Sequence, residues 1–279
     1  MSEREYATPF PILQAVSLLS HRSRIRKFRQ AIQKVVTSQD HVIDLGTGSG
    51  ILAILAAQQG ARVTAIDTND ESLKYARKAA SLNNFADRIT FIKSHYADFK
   101  PEERADVVIC EMLSSVMLIE QQVPASQYAI ENLLKPEGRI IPEGVTLFVV
   151  PVENENLWNR FEVENMRFPR LPQTVDHGQS VDLGNIQELE RYDFSKLSNR
   201  SFEIDKTVEF EVIKAGVIHG LLGMFESRLI DDINLTMEDG WRELYLPLPQ
   251  ALSVNRGDTV SIRMSFTPGQ YDSLQIEVV

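Results

Sequence analysis

The sequence predicts an α/β protein with a mostly parallel sheet in its first half and an antiparallel, barrel-like β domain in its second. Three observations carry this expectation. Short apolar strands alternate with helices from about residue 41 to residue 141. A glycine-rich turn, Gly46-Thr47-Gly48-Ser49-Gly50, stands between the first of these strands and the helix after it. Past Pro142 the alternation stops, and short strands broken by Gly, Pro and Asn take over. Strands alternating with helices at this pitch imply right-handed crossovers and a parallel sheet. The later pattern is that of antiparallel β structure.

In order, residues 11–36 read as helical, with Ile12, Ala15, Val16 and Leu19, then Ile25, Phe28, Ile32 and Val35, at helical spacing. Arg22, Arg24, Arg26, Lys27 and Arg29 crowd the second part, as on a solvated helix face. Val42-Ile43-Asp44-Leu45 is a strand running into the glycines, and a helix follows from about Ile51 to Gln59, with Gly60 suited to end it. Ala61–Ile66 is the next strand, Asp67 stands at its end, and Asn69 or Asp70 can cap a helix reaching about Leu82. Ile89–Ile92 and Ala105–Cys110 are the third and fourth strands. A helix near 124–134 leads to a strand through Gly138–Ile141. Then Val145–Val150 is a strand, and further strands are expected at 207–213, 216–229, 241–248 and 259–266. Residues 153–200 are mixed in texture and carry no assignment. The expected organisation is residues 1–144, the N-terminal helices with the parallel-sheet domain, and residues 145–279, the barrel-like substrate or interaction domain.

Composition narrows the partners. Of 279 residues 43% are hydrophobic and 24% charged, ordinary for a globular chain. No stretch of eighteen or more apolar residues occurs, so no membrane span is expected. The opening Met1–Tyr6 lacks a basic segment followed by an apolar core, which argues against a secretory signal. Cys110 is the single cysteine, so no internal disulfide forms and a cytoplasmic location is the default. Lys plus Arg number 29 against 39 Asp plus Glu, a formal net charge of −10. Such a balance disfavours a phosphate backbone as partner. It suits a basic protein or peptide better, although it also serves plain solubility.

Between a strand and a helix, Gly46-x-Gly48-x-Gly50 marks a sharp turn that a ligand can approach closely. The dinucleotide pattern fails at its sixth position, which holds Ile51 instead of glycine. A Rossmann-like domain with this tighter loop suits the compact amino-acid part of S-adenosyl-L-methionine. Asp67 stands where a carboxylate can accept both ribose hydroxyls; alone it would read as a helix cap. After the third strand, Tyr96 can pack on the adenine and Asp98 can accept from its amino group, a helix cap being the alternative for Asp98. After the fourth, Glu111 and Glu120 bracket a largely apolar run. Carboxylates in apolar surroundings want a cation, and a guanidinium offers a planar fork that two of them can hold. The alternative is a capping Glu111 and a solvated Glu120.

At Glu111-Met112-Leu113…Glu120 the sequence resembles the protein arginine methyltransferases, whose loop carries two glutamates. The resemblance runs back through Val42–Gly50, Ala61–Asp67 and Ile89–Lys93, and forward through Leu134–Pro142 into Val145–Val150. It implies a Rossmann-like seven-stranded methyltransferase domain followed by an antiparallel β-barrel-like domain. It also implies that Arg24 contacts the cofactor carboxylate, that Gly46 and Gly48 form the cofactor loop, that Asp67 takes the ribose, and that Glu111 and Glu120 clamp the substrate; Asp44, Tyr96, Asp98 and Glu111 complete the expected cofactor set. The activity implied is N-methylation of an arginine-type protein side chain with S-adenosyl-L-methionine as cofactor.

The departures are specific. The family's Thr-His-Trp loop reads Asp239-Gly240-Trp241, so its histidine is Gly240. The family histidine nine places before the arginine is Ala15, the adenine-contacting acid is Ala97 beside Asp98, and paired aromatics are not recognisable around Tyr6 and Phe10. An apolar barrel surface would suit a homodimer, yet residues 153–200 show no clear counterpart of the family's dimerisation arm. Rival readings are a methyltransferase for another protein amine, of the ribosomal-protein type, or for a small molecule, and a non-catalytic cofactor-binding module. A base methyltransferase is disfavoured because the fourth strand ends in Cys110-Glu111-Met112-Leu113. A nicotinamide-dependent oxidoreductase is disfavoured by Ile51. His219 reads as structural, His95 has no partner that would make it a base, Cys110 is no nucleophile, and no metal-ligand spacing is present.

Overall fold

A computed structural model describes residues 11–279 of the chain. Met1–Tyr6, Tyr6 and Phe10, on which the reading of the leader and of the paired aromatics rests, lie outside the described residues.

The first half is built on five parallel strands: β1 (His41–Leu45), β2 (Arg62–Asp67), β3 (Ile89–Lys93), β4 (Ala105–Cys110) and β5 (Leu134–Ile141). Their spatial order is β3-β2-β1-β4-β5. Every residue of β1 is buried, as expected for a strand covered on both faces. The order reverses between β1 and β4, so a crevice opens beyond their carboxyl ends, the usual place for a ligand in such sheets. The sheet has five strands, not the seven implied by the resemblance. After β5 the chain turns at Pro142 straight into the antiparallel half and adds no further strand to this sheet.

The helices are α1 (Ile12–Ser17), α2 (Arg22–Val35), α3 (Ile51–Ala57), α4 (Asp70–Leu82) and α5 (Gln122–Tyr128). The continuous helical pattern of residues 11–36 is in fact interrupted by a 3₁₀ turn at Leu18–Ser20 and by His21, where ψ is 75°. Asn69 caps α4 by accepting from the Glu71 amide at 2.9 Å. The helix expected near 124–134 starts at Gln122 and ends as a π turn at Ala129–Leu133.

The second half is a strongly curled antiparallel sheet centred on β6 (Gly144–Glu153), Gly216–Ile230 and Glu243–Val254. Gln187–Asp193 also pairs with β6, and a separate three-stranded sheet joins Ile204–Glu211, Thr259–Phe266 and Gln275–Val278. A bulge between Ile218 and Gly220 helps bend the long strand. The unassigned stretch 153–200 holds a short helix, Glu155–Asn159, and strands of two to seven residues, among them the hairpin Glu162–Val163 with Met166–Arg167. One apolar cluster runs through both halves, from Phe28, Ile43 and Leu55 to Phe194, Phe225 and Leu246. That shared core fixes α2 and the barrel loops relative to the crevice.

Candidate active site at the ends of β1, β2 and β4

One side of the crevice is organised by two acids, Asp44 buried and Asp67 half-buried. Asp44, at the end of β1, is 1% exposed and accepts from the Thr47 hydroxyl at 2.6 Å. Burial pushes its carboxyl up to about 7, with the Thr47 bond opposing. Asp67, at the end of β2, accepts from the Gly48 amide and the Asn69 amide, both at 2.8 Å. Burial raises it above the ordinary carboxylate range in spite of these bonds. Each oxygen keeps lone-pair capacity for a further donor. Gly46 sits at φ 70°, and a Cβ there would stand 2.8 Å from the Met112 methyl, so only glycine meets both demands. Asp44, Gly46, Gly48 and Asp67 therefore form one continuous cradle.

Tyr96 and Asp98 lie beyond the end of β3. The Tyr96 hydroxyl donates to Gln121 Oε1 at 3.1 Å, and its ring meets His95 at 4.2 Å and Tyr128 at 5.8 Å between centroids. The Asp98 amide donates to the His95 carbonyl at 3.1 Å, closing a turn.

Across the crevice, the segment after β4 carries Glu111 and Glu120. Between them Val116 and Met117 adopt φ values of 48° and 53°. A β-branched residue in that region is strained and must be held by its surroundings. Ser115 Oγ donates to the Arg242 carbonyl at 2.5 Å, and the Gly269 amide donates to the Met117 carbonyl at 2.9 Å. Below, Gly223 leaves room for Val116, whose Cγ1 would stand 2.7 Å from a Cβ there. Gln122, fully buried, accepts from the Met112 amide at 2.8 Å and donates to Ser126 Oγ at 3.0 Å. The loop's path is thus set by contacts from both halves of the chain.

Arg24 reaches into this loop from α2. It ion-pairs with Glu111 and lies 4.5 Å from the Trp241 ring centroid. Burial lowers its guanidinium to about 10, with Glu120 opposing, so it stays a cation at neutral pH. Burial pushes Glu120 up to about 7, with Arg24 opposing. Glu120 itself makes no ion pair and no side-chain hydrogen bond among the described residues. Trp241 Nε1 donates to the Leu113 carbonyl at 2.9 Å, and its ring meets Phe225 edge-on at 5.3 Å. Asp239 is buried and accepts from Ser23 Oγ and Lys27 Nζ, each at 2.6 Å.

The structure thus brings Arg24 onto Glu111 and near Glu120, and Gly46 up to Met112 beside Glu111; Tyr96 and Asp98 stand to one side. Sequence reasoning missed Gln122, Ser115 and the grip of Asp239 on α2. A glutamine two places after Glu120 was the one available hint, since its partners are distant in sequence. His219 is buried with its ring 5.7 Å from that of Trp158, His95 Nδ1 accepts from the Ala97 amide at 3.2 Å, and burial pushes the Cys110 thiol far up. No group of three or more His, Cys, Asp or Glu residues suited to a metal ion occurs among the described residues. No helix among them is long and apolar enough to cross a membrane.

The chain is similar in sequence and fold to several known proteins. The profile described as ribosomal protein L11 methyltransferase (PrmA) matches residues 29–166, and that of the PRMT5 oligomerisation domain matches residues 144–267. An uncharacterized protein of Methanocaldococcus jannaschii is 29% identical over 254 residues, covering 91% of each chain. Protein arginine N-methyltransferase 1 of Dictyostelium discoideum is 32% identical over 152 residues, covering 52% of this chain and 43% of that one. A probable protein arginine N-methyltransferase 6.1 of Oryza sativa subsp. indica is 31% identical over 141 residues, 37% of its length, so the match spans under half of each of these two relatives. In structure, the chain resembles the Trypanosoma brucei PRMT1 enzyme-prozyme heterotetrameric complex with AdoHcy, with a TM-score of 0.77, 22% identity and coverage of 94% and 91%. The fold and these matches support one class: a methyltransferase of the S-adenosylmethionine-dependent type. Within that class the chain resembles the protein arginine methyltransferases, in the parallel sheet as in the curled antiparallel half.

Proposed function

We propose that the protein transfers a methyl group from S-adenosyl-L-methionine to a guanidinium nitrogen of an arginine in a basic protein or peptide. The observation that carries the reading is Arg24 itself. The loop between Glu111 and Glu120, with Trp241 beside it, already holds one guanidinium by an ion pair and a stacked ring. A second such ligand finds the same chemistry there, and an ammonium, lacking the planar fork, uses it less well. The glutamates thus favour arginine over the amine substrates that the PrmA match alone would suggest.

The cradle fits the cofactor. Asp67 has spare acceptor capacity for ribose hydroxyls, and Gly46 and Gly48 leave space for the amino-acid part. Arg24 offers a cation to its carboxylate, and Tyr96 and Asp98 flank the side where the base would lie. When bound, S-adenosylmethionine supplies an electrophilic methyl group. The chain supplies positioning, which is worth roughly 7–11 kcal/mol in well-oriented reactions. Glu111 and Glu120 hold the guanidinium and draw its positive charge away from the attacking nitrogen. Glu120, at about 7, is poised to take up a proton near neutral pH.

On this reading residues 1–144 bind the cofactor and residues 145–279 shape the substrate side and the contacts between copies. The hairpin at 162–167 and its flank expose Val163, Met166, Phe168 and Leu171, an apolar arm suited to a second copy of the chain. The match to an oligomerisation domain supports a homodimer built through this half.

The test is transfer of a radiolabelled methyl group to basic peptides containing arginine but no lysine, beside lysine counterparts. Label in the arginine peptides, lost in Glu111→Gln and Glu120→Gln, is the expected result. Full turnover in both variants would end the proposal.

A further inference from the structure

Glu243 opens the strand Glu243–Val254 directly after Trp241 and Arg242, and it is 4% exposed. Its Oε2 is enclosed without a hydrogen-bond partner, and its Oε1 lies 2.7 Å from Nδ1 of His177. Among the described residues His177 is the one cation paired with this carboxylate, and the His177 side chain is itself 93% exposed. A buried carboxylate stranded without a cation is costly, whereas an exposed imidazole gains and loses its proton near neutral pH. The pair is a buried acid held by a cation that can be switched off.

Strand register brings the ring there. The strand Gln173–Val175 pairs with the start of Glu243–Val254, with Val175 opposite Glu243. Gly178, at φ 79°, then turns the chain, and the Gln179 amide donates to the Asp176 carbonyl at 3.4 Å. Asp176 and His177 thus meet two successive residues of the facing segment: Arg242 Nε donates to Asp176 at 2.8 Å, and His177 closes on Glu243. Acids dominate what faces the ring. Glu243 lies on its strand, Asp182 on the strand Val181–Asp182 and Glu238 on the turn before Trp241, while Arg242 is already paired with Asp176. The hydrogen bond and charge of Glu243 hold the imidazole protonated above the ordinary histidine range, with burial opposing and Asp182 and Glu238 adding to the rise.

The clasp sits two residues from the ring that stacks on Arg24. Ser115 Oγ donates to the Arg242 carbonyl and Trp241 Nε1 to the Leu113 carbonyl, so this segment is tied to the loop between the glutamates. Arg24, over Trp241, pairs with Glu111. From the turn at His177 to Glu111, each step is a chain neighbour or a direct contact.

We propose that His177 and Glu243 are positioning residues for methyl transfer: protonated His177, closed on Glu243, fixes the Trp241–Arg242 segment against the glutamate loop, and loss of that proton loosens it. The proposal rests on the functional reading above. A neutral ring can still donate from Nδ1, but the buried carboxylate then keeps its charge with no cation beside it. Glu243 is relieved by turning toward solvent, and the start of its strand moves with it. Because the folded chain holds the His177 proton more tightly than the unfolded one, the clasp contributes fully below the ordinary histidine range. That contribution is lost as pH rises through the raised folded value.

The test follows labelled methyl transfer to an arginine peptide from about pH 6 to about pH 9 for the native protein, His177→Lys, His177→Gln and Glu243→Gln. The indole N–H resonance of Trp241 is recorded over the same range, and Trp158→Phe distinguishes it from that of the second tryptophan. Lysine keeps the cation throughout, glutamine never carries it, and Glu243→Gln removes the charge that needs it. His177→Lys is expected to match the native kcat within about twofold at the acid end and to exceed it about 3- to 5-fold at the alkaline end, the scale of a partly exposed ion pair. His177→Gln starts about 3- to 5-fold below the native protein and converges with it as pH rises. Glu243→Gln makes the rate indifferent to the residue at 177. The native Trp241 resonance shifts as His177 titrates and stays put in His177→Lys. A constant ratio of His177→Lys to native kcat across the range overturns the proposal. So does a Trp241 resonance that ignores pH in the native protein, or that titrates alike in His177→Lys. If the native protein leaves the arginine peptide unlabelled while Trp241 still titrates with His177, it is the functional reading that falls, and the role of the clasp in methyl transfer falls with it.

Discussion

Arg24 and Glu111 form an ion pair whose side chains are only 9% and 12% exposed, although one lies on the N-terminal helix α2 and the other beyond β4. The same guanidinium lies over Trp241 from the barrel half and is the charge that opposes the burial of Glu120. One cation thus serves two acids and one aromatic. A buried pair adds little over a well-packed apolar contact, but removing one partner strands the other's charge at a cost of about 3–5 kcal/mol.

Arg24→Ala should accordingly lower stability by about 3 kcal/mol at neutral pH. The low end applies because Glu120, already at about 7, can take up a proton once the cation is gone. Urea unfolding at about pH 8 should show a larger loss than at about pH 5.5, where the acids are more readily neutral. An unchanged midpoint at both pH values would show that the pair carries no structural weight. Arg24→Lys, which keeps charge but loses the planar stack, should fall between.

Asp67→Ala tests the cradle. The carboxylate anchors the amides of Gly48 and Asn69, so its removal frees the glycine loop as well as deleting a ribose acceptor. Isothermal calorimetry with S-adenosylhomocysteine should show at least about 100-fold weaker binding, the sum of a lost charge-assisted bond and lost preorganisation. Retained affinity would move the ribose elsewhere in the crevice.

The parts of this architecture that were legible in the sequence are those specified locally. Gly46 and Gly50 announce left-handed turns, alternating strands and helices announce the parallel sheet, and the spacing of Glu111 and Glu120 announces a loop with an acid at each end. The break at Leu18–His21 was not legible, because the apolar spacing runs through it undisturbed and the contact of His21 with Gly240 is remote in sequence. Residues 153–200 stayed unassigned because strands such as Glu162–Val163 and Val181–Asp182 are too short to show a period. Asp239 looked like a departure from the family loop. Its function depends on Ser23 and Lys27, 216 and 212 residues away, which no local pattern reveals.

Asp44 makes a prediction about pH. A carboxyl whose folded pKa is raised holds its proton more tightly in the folded chain than in the unfolded one. Its contribution to stability is therefore full below the ordinary carboxylate range and is lost as pH rises through its folded value of about 7. Asn at this position can still accept from Thr47 but never carries the charge. Asp44→Asn should melt close to the native protein at about pH 4 and progressively above it as pH rises to about 8. A constant difference in melting temperature across that range would contradict the shift.

Gly223→Ala addresses the strained loop from below. The added methyl meets Val116 Cγ1 at 2.7 Å, and Val116 is already at φ 48° with little freedom to retreat. Overpacking of this kind costs about 1–3 kcal/mol. Because Val116 lies between Glu111 and Glu120, methyl transfer should fall by more than the melting temperature suggests, with S-adenosylhomocysteine affinity nearly intact. Equal losses in all three measurements would point to general unfolding rather than displacement of the loop.

Asp239→Ala asks whether α2 is held in place from the barrel side. The buried carboxylate joins Ser23, Lys27 and the Thr236 amide, so its loss leaves three donors without their acceptor. The cost should be about 1–3 kcal/mol, moderated because Lys27 can turn toward solvent. Helix α2 also carries Arg24, so loosening its start should weaken S-adenosylhomocysteine binding by about 10-fold even though Asp239 is not part of the cradle. Asp239→Asn keeps an acceptor for Ser23 and should recover most of the affinity without the full stability. If Asp239→Ala loses stability while binding S-adenosylhomocysteine as tightly as the native protein, the start of α2 is positioned by its own core contacts at Phe28, Ala31 and Ile32, and the grip from the loop is dispensable for the site.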